Sequence, residues 1–165
     1  MKKTLFLLLL LAVLLLTVAC EDTPTQSQAV YAPFSVHGVT VAPDAEAAPI
    51  LAALGEPQAF AETNSCYGDG KDKVYEYPSF KVQTYSMGGI DYILSVEIHS
   101  DVDTAVATAE GIRIGSTADA VLQTYGTAQT QTETQILYTD AAAKTKLQFL
   151  LRNGIVTNIQ YLKTA

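Results

Sequence analysis

The chain has no tryptophan, two cysteines, two histidines and two methionines, and charged side chains make up only 16% of its 165 residues. Each shortage closes off a class of function. With only His37 and His99, a transition-metal site lacks ligands, because zinc is held by three or four His, Cys or carboxylate groups. A serine or cysteine nucleophile likewise lacks a base to activate it. No serine sits in a Gly-x-Ser-x-Gly elbow: Gly115-Ser116 reads as a helix cap and Ser86-Met87-Gly88 as a turn. No carboxylate pair is singled out for glycoside chemistry. The acidic stretches His99–Asp103 and Asp69–Asp72 lack the spacing of a calcium loop and read as solvated loop ends. We therefore expect no enzyme, no catalytic residue, no metal and no cofactor. Basic residues are scarce as well, ten against seventeen acidic, which excludes nucleic acid as a partner, since that binding is driven by Lys and Arg neutralising phosphates.

What is present begins with an address. Lys2 and Lys3 precede an unbroken apolar run, Leu5–Leu16, and Thr17-Val18-Ala19-Cys20 follows. The run is shorter than the ~20 residues a bilayer-spanning helix needs, and the layout is that of a secretory signal. With cysteine at the cleavage point it resembles a bacterial lipoprotein lipobox. The resemblance implies cleavage after Ala19 and a diacylglyceryl thioether on Cys20, which ties the protein to the outer face of the cytoplasmic membrane with its domain extracytoplasmic. Residue 17 is Thr where Leu is commoner in that motif. Loss of Lys2 and Lys3 with the signal leaves eight basic against seventeen acidic residues, a net charge of −9. Cys66 is then without a partner in the chain. Its neighbours Asn64, Ser65 and Tyr67 offer no cation to lower its pKa, so it reads as a small buried hydrophobe.

Four segments are expected: the signal peptide at 1–19, an acylated N-terminus and flexible stalk at 20–33, and two helix-plus-strand units at 34–105 and 106–165. Gly38–Val41 is echoed by Gly111–Ile114, each read as a short apolar-alternating strand followed by a turn, and Ile50–Gly55 by Val121–Gly126. The last two are apolar at helical spacing and stop at a glycine. Val96–Ile98 and Ile159–Tyr161 read as closing strands. Ser116 or Thr117 caps the second helix, and Pro49 belongs in the first turn of the first, starting near Ala48. Asn153-Gly154 and Met87-Gly88-Gly89 read as hairpin turns. The expected class is α+β: two tandem repeats, each a helix followed by about three antiparallel strands, forming one sheet with both helices on one face.

Leu54-Gly55-Glu56-Pro57 closing an apolar helix before three strands resembles the repeat of the β-lactamase inhibitor protein and of small outer-membrane assembly lipoproteins. Ser65-Cys66-Tyr67 ahead of Asp72–Tyr75, together with Glu110–Ser116, also resembles uncharacterised lipoproteins of anaerobic Gram-positive bacteria. These motifs are turns and caps, so the resemblance implies a fold and carries over no site residue. The nine tyrosines supply the functional expectation, because a tyrosine ring packs while its hydroxyl stays wet. The leading reading is a non-enzymatic lipoprotein that binds a protein partner through an aromatic-bearing sheet face. Tyr67, in a loop, and Tyr85, opposite Val82 and Phe80 on its strand, are the candidate binding residues. A solute- or glycan-binding receptor and a structural envelope component are the alternatives.

Overall fold

Alternation of apolar and polar residues at period two makes most of this chain strand. The computed structural model describes residues 31–65 and 68–164. Its elements run β1 (Phe34–Val36), β2 (Val39–Val41), α1 (Ala47–Leu54), β3 (Ala59–Asn64), β4 (Lys71–Glu76), β5 (Phe80–Met87) and β6 (Ile90–Ile98). After these come α2 (Ala118–Tyr125), β7 (Thr130–Gln131), β8 (Gln135–Asp140), β9 (Thr145–Arg152) and β10 (Ile155–Lys163).

The expectation of an α+β chain built from two helix-plus-strand repeats is overturned. Among the described residues the fold is mostly β, 48% strand, with only two helices, an eight-stranded antiparallel sheet and a two-stranded ribbon. Each helix is eight residues long, little more than two turns. Ile112–Ile114, expected as a strand, is a loop held by local bonds: Thr108 N–H to Ile112 C=O at 2.8 Å, Ile112 N–H to Thr108 Oγ1 at 3.0 Å, and Arg113 N–H to Ser116 Oγ at 3.1 Å. Those bonds satisfy the backbone without a partner strand.

The large sheet has the order β3-β4-β5-β6-β10-β9-β8-β7. Every neighbour but one is also a neighbour in sequence. The exception is the central pair, where Ile159 stands opposite Ile98 and Tyr161 opposite Val96. Type I′ hairpin turns need positive φ at both central residues. Gly88 and Gly89 (φ 62° and 79°) and Asn153 and Gly154 (φ 54° and 74°) supply it.

One face of the sheet is covered. The row Phe60–Tyr75–Val82–Val96–Tyr161–Leu147–Tyr138 crosses seven strands on that face. From Val82 to Tyr138 its members are buried, with Phe149 and Ile159 in the adjoining rows. The cover comprises the β1–β2 ribbon, whose Phe34 ring lies 5.4 Å from Phe80, the loop residues Val106 and Ile112, and the two helices. The opposite face stays open. Its matching row reads Ala59, Glu76, Lys81, Glu97, Gln160, Gln148, Leu137 and Thr130.

Candidate functional site

Of the residues singled out from sequence, Ala19, Cys20, Cys66 and Tyr67 lie outside the described residues. Tyr85 does sit on the open face, as strand alternation from Val82 requires, but only 3% of it is exposed. Its ring stacks on Tyr92 with centroids 5.6 Å apart, and the Lys163 ammonium stands 5.3 Å from its centroid. Its hydroxyl donates to Asp44 Oδ1, which also accepts from Lys163 Nζ at 2.5 Å. Lys163 and Tyr85 hold the Asp44 carboxyl below its usual value, while burial and the Asp44 contact push the Tyr85 phenol up. Tyr85 thus ties the α1 approach to the end of β10, and its ring has almost no surface to offer a partner.

Three further tyrosines in or beside strands are likewise enclosed. Tyr138 and Tyr161 lie in the core, and Tyr77 stacks on Phe80 at 4.7 Å with its hydroxyl donating to Gly55 C=O. The middle of the open face is instead amide-rich and internally bonded. Asn158 Nδ2 donates to Glu97 Oε1 at 2.7 Å, Lys81 pairs with Glu97 at 2.9 Å, Ser95 Oγ donates to Gln83 at 2.9 Å, and Gln148 Nε2 to Gln135 at 2.8 Å. Burial alone would raise the Glu97 carboxyl, but Lys81 and Asn158 bring it below its usual value. These groups bond one another except for Asn158 Oδ1, which is buried without a hydrogen-bond partner among the described residues, and they present no aromatic contact surface.

An aromatic surface does emerge at the β3 rim, which sequence reasoning passed over. Phe60 is 52% exposed, with its ring 5.1 Å from Tyr75. Beside this pair a groove of about 420 Å³ runs between Ala47, Ala48 and Leu51 of α1, Tyr75 of β4, and Gly89 and Ile90 at the β5–β6 turn. Asp91 closes one end and receives Lys73 Nζ at 2.5 Å and the Ser86 hydroxyl. Burial would raise the Asp91 carboxyl, yet the Lys73 and Ser86 bonds hold it below its usual value. Met87 and Ile90 are exposed at the same end of the molecule. Among the described residues β3 is exposed at all six positions and pairs only with β4. The signal that could have found it is the isolated phenylalanine in Ala-Phe-Ala-Glu-Thr-Asn, a strand with too few apolar residues to bury a face.

A second concavity, about 580 Å³ and open, lies between Thr132–Thr134 and Leu151–Gly154. Glu133 and Arg152 are its charged groups, and it assembles no nucleophile with a base. Among the described residues no three His, Cys, Asp or Glu side chains converge as a metal site, and no helix is long and apolar enough to cross a membrane. Comparison with protein families, with curated proteins and with solved structures gives no match.

Proposed function

We propose that this protein is a lipid-anchored, extracytoplasmic, non-enzymatic binding module that engages a protein partner at the β3 rim. The tether is read from Thr17–Cys20, and the acidic domain, −9 after signal removal, favours basic partners. One observation carries the binding reading. Phe60 holds a half-exposed ring against Tyr75 on the outermost strand of the sheet, exposed at all six positions, and among the described residues no other phenylalanine or tyrosine ring is as exposed. Half-exposed aromatics beside an apolar groove are the residues that anchor protein interfaces.

The test is site-specific photocrosslinking on the membrane. A photoreactive amino acid is placed at residue 60 in one strain and at residue 160, on the open face, in another. A crosslinked protein at 60 and none at 160 supports the rim. Crosslinking at 160 alone moves the site to the amide-rich face, and none at either position removes the partner-binding reading in favour of a structural envelope role. Lipidation is tested separately: Cys20→Ser should abolish metabolic labelling with a palmitate analogue, and retained labelling would refute it.

A further inference from the structure

We propose that the β3 rim captures its partner as an added strand: an extended segment of another protein with a Lys or Arg set against Glu62. The inference rests on the binding reading above and specifies its mode.

The backbone of β3 is arranged for this. In an antiparallel ladder, hydrogen-bonded and non-bonded pairs alternate. The Ser65 N–H donates to Gly70 C=O at 3.1 Å, which makes 65/70 a bonded pair. In the observed register 63/72 and 61/74 are therefore also bonded, and 64/71, 62/73 and 60/75 are not. Phe60, Glu62 and Asn64 then turn their N–H and C=O groups away from β4. Six residues at ~3.4 Å each make roughly 20 Å of unpaired edge. The opposite rim of the sheet, β7, is only two residues long. No proline interrupts β3, and a free edge of this length is a template for another strand.

The choice of occupant follows from charge. A second copy of this chain would pair most fully by setting residues 60, 62 and 64 of one molecule against 64, 62 and 60 of the other. That register places Glu62 directly opposite its own counterpart, and like charges facing each other across a ladder are destabilising. Two acidic domains also repel over a longer range. Glu62 thus guards the edge against self-pairing. Its pairing with Lys71 leaves both side chains well exposed, 38% and 50%, so the carboxylate remains open to a second cation. An incoming basic residue opposite Glu62 turns that guard into a selective contact. Phe60 lies two residues away on the same face, where it flanks the neighbouring side chain of the added strand.

The experiment uses the full chain and three synthetic nonapeptides read by fluorescence anisotropy. One alternates Thr and Val around a central Lys, the second replaces that Lys with Glu, and the third is the Lys peptide with every second amide N-methylated on its bonding edge. Strand addition predicts that the Lys peptide binds at least tenfold more tightly than the Glu peptide and that N-methylation abolishes binding. Glu62→Lys should reverse the charge preference, and its exposed site leaves the fold intact, checked by circular dichroism. Equal affinity of the Lys and Glu peptides, indifference to N-methylation, or no peptide binding overturns the inference. So does a wild-type dimer in sedimentation that Glu62→Lys alters. Crosslinking at residue 60 without peptide binding defeats strand addition alone. Absence of crosslinking at 60 defeats the binding reading beneath it.

Discussion

The two ends of the eight-stranded sheet are finished differently. At the β7 end, α2 buries Val121 and Tyr125, and the Tyr125 ring sits 5.4 Å from Tyr138 and 5.5 Å from Phe149. The Tyr125 hydroxyl donates to Glu110 Oε2, whose other oxygen accepts the Ala32 N–H at 3.1 Å. At the β3 end, α1 buries only Ala47 and leaves Ile50, Leu51 and Leu54 partly covered. Both helices stop at a glycine with positive φ, Gly55 and Gly126, and in both a tyrosine donates to that glycine's carbonyl, Tyr77 just past β4 and Tyr138 in β8 respectively. The scaffolding is alike; the side chains that reach down from it are not. A helix ending in tyrosine closes its edge, whereas one ending in alanines and leucines leaves a groove and an exposed strand. How far a two-turn helix covers a sheet is set by the size of its inward residues.

The largest expected effect tests that contrast directly. Tyr125→Ala should cost about 3 kcal/mol or more, the scale of emptying a large buried aromatic site, whereas Phe60→Ala should cost less than about 1 kcal/mol as a partly exposed surface change. Urea denaturation of the two variants decides it, and equal losses would mean the β3 end is packed as tightly as the β7 end.

The next effect is acid lability. Asp44, Asp91, Glu97 and Asp103 all sit below their ordinary carboxyl values, and all four fall within residues 34–105. Asp103 is held there by the Ala105 N–H and His37, the others by the partners described above. A carboxyl depressed on folding stabilises the fold above its unfolded value, about 4, and that contribution is lost as pH falls through the folded value. Hydrogen exchange at decreasing pH should therefore show β4–β6 losing protection before β8–β9. Uniform loss across the sheet would contradict this.

The smallest difference lies at the helix starts. Thr117 Oγ1 accepts the Ala120 N–H at 3.1 Å, while Glu46 makes no side-chain cap bond. Thr117→Ala should destabilise by about 1 kcal/mol, as loss of a cap does, and Glu46→Ala should shift the urea midpoint hardly at all. A reversed order would place the weaker helix start at α2.

Much of the local structure was legible in the sequence. The Thr117 cap, the glycine stops, the Gly88-Gly89 and Asn153-Gly154 turns and the strands through Phe80, Val96, Phe149 and Ile159 all carry short-range signals, and all are observed. The class was not. Two apolar octets at helical spacing weighed as much on the page as the long strands, although they form only two turns each. β3 escaped notice because alternation signals a buried face, and Ala59–Asn64 buries none. The burial of Tyr85 depends on Asp44 and Lys163, 119 residues apart in the chain, and no local pattern announces such a meeting. Polarity read residue by residue likewise could not show that Tyr138 and Tyr161 face the core while the amides of Gln83, Gln148 and Asn158 line the open face.

The central seam has a consequence for how the chain assembles. Seven strand neighbours in the sheet, less one, are joined by short local connections; only β6 and β10 meet from afar, with Asn158 and Glu97 sixty-one residues apart. Loop-closure entropy makes such a pairing slow relative to hairpins. Two four-stranded meanders should therefore form first and zip together last, along their inner edges. Until they do, Val96, Ile98, Ile159 and Tyr161, which end up at most 1% exposed, line two raw edges open to solvent. The final pairing to form is the one that hides the stickiest part of the protein.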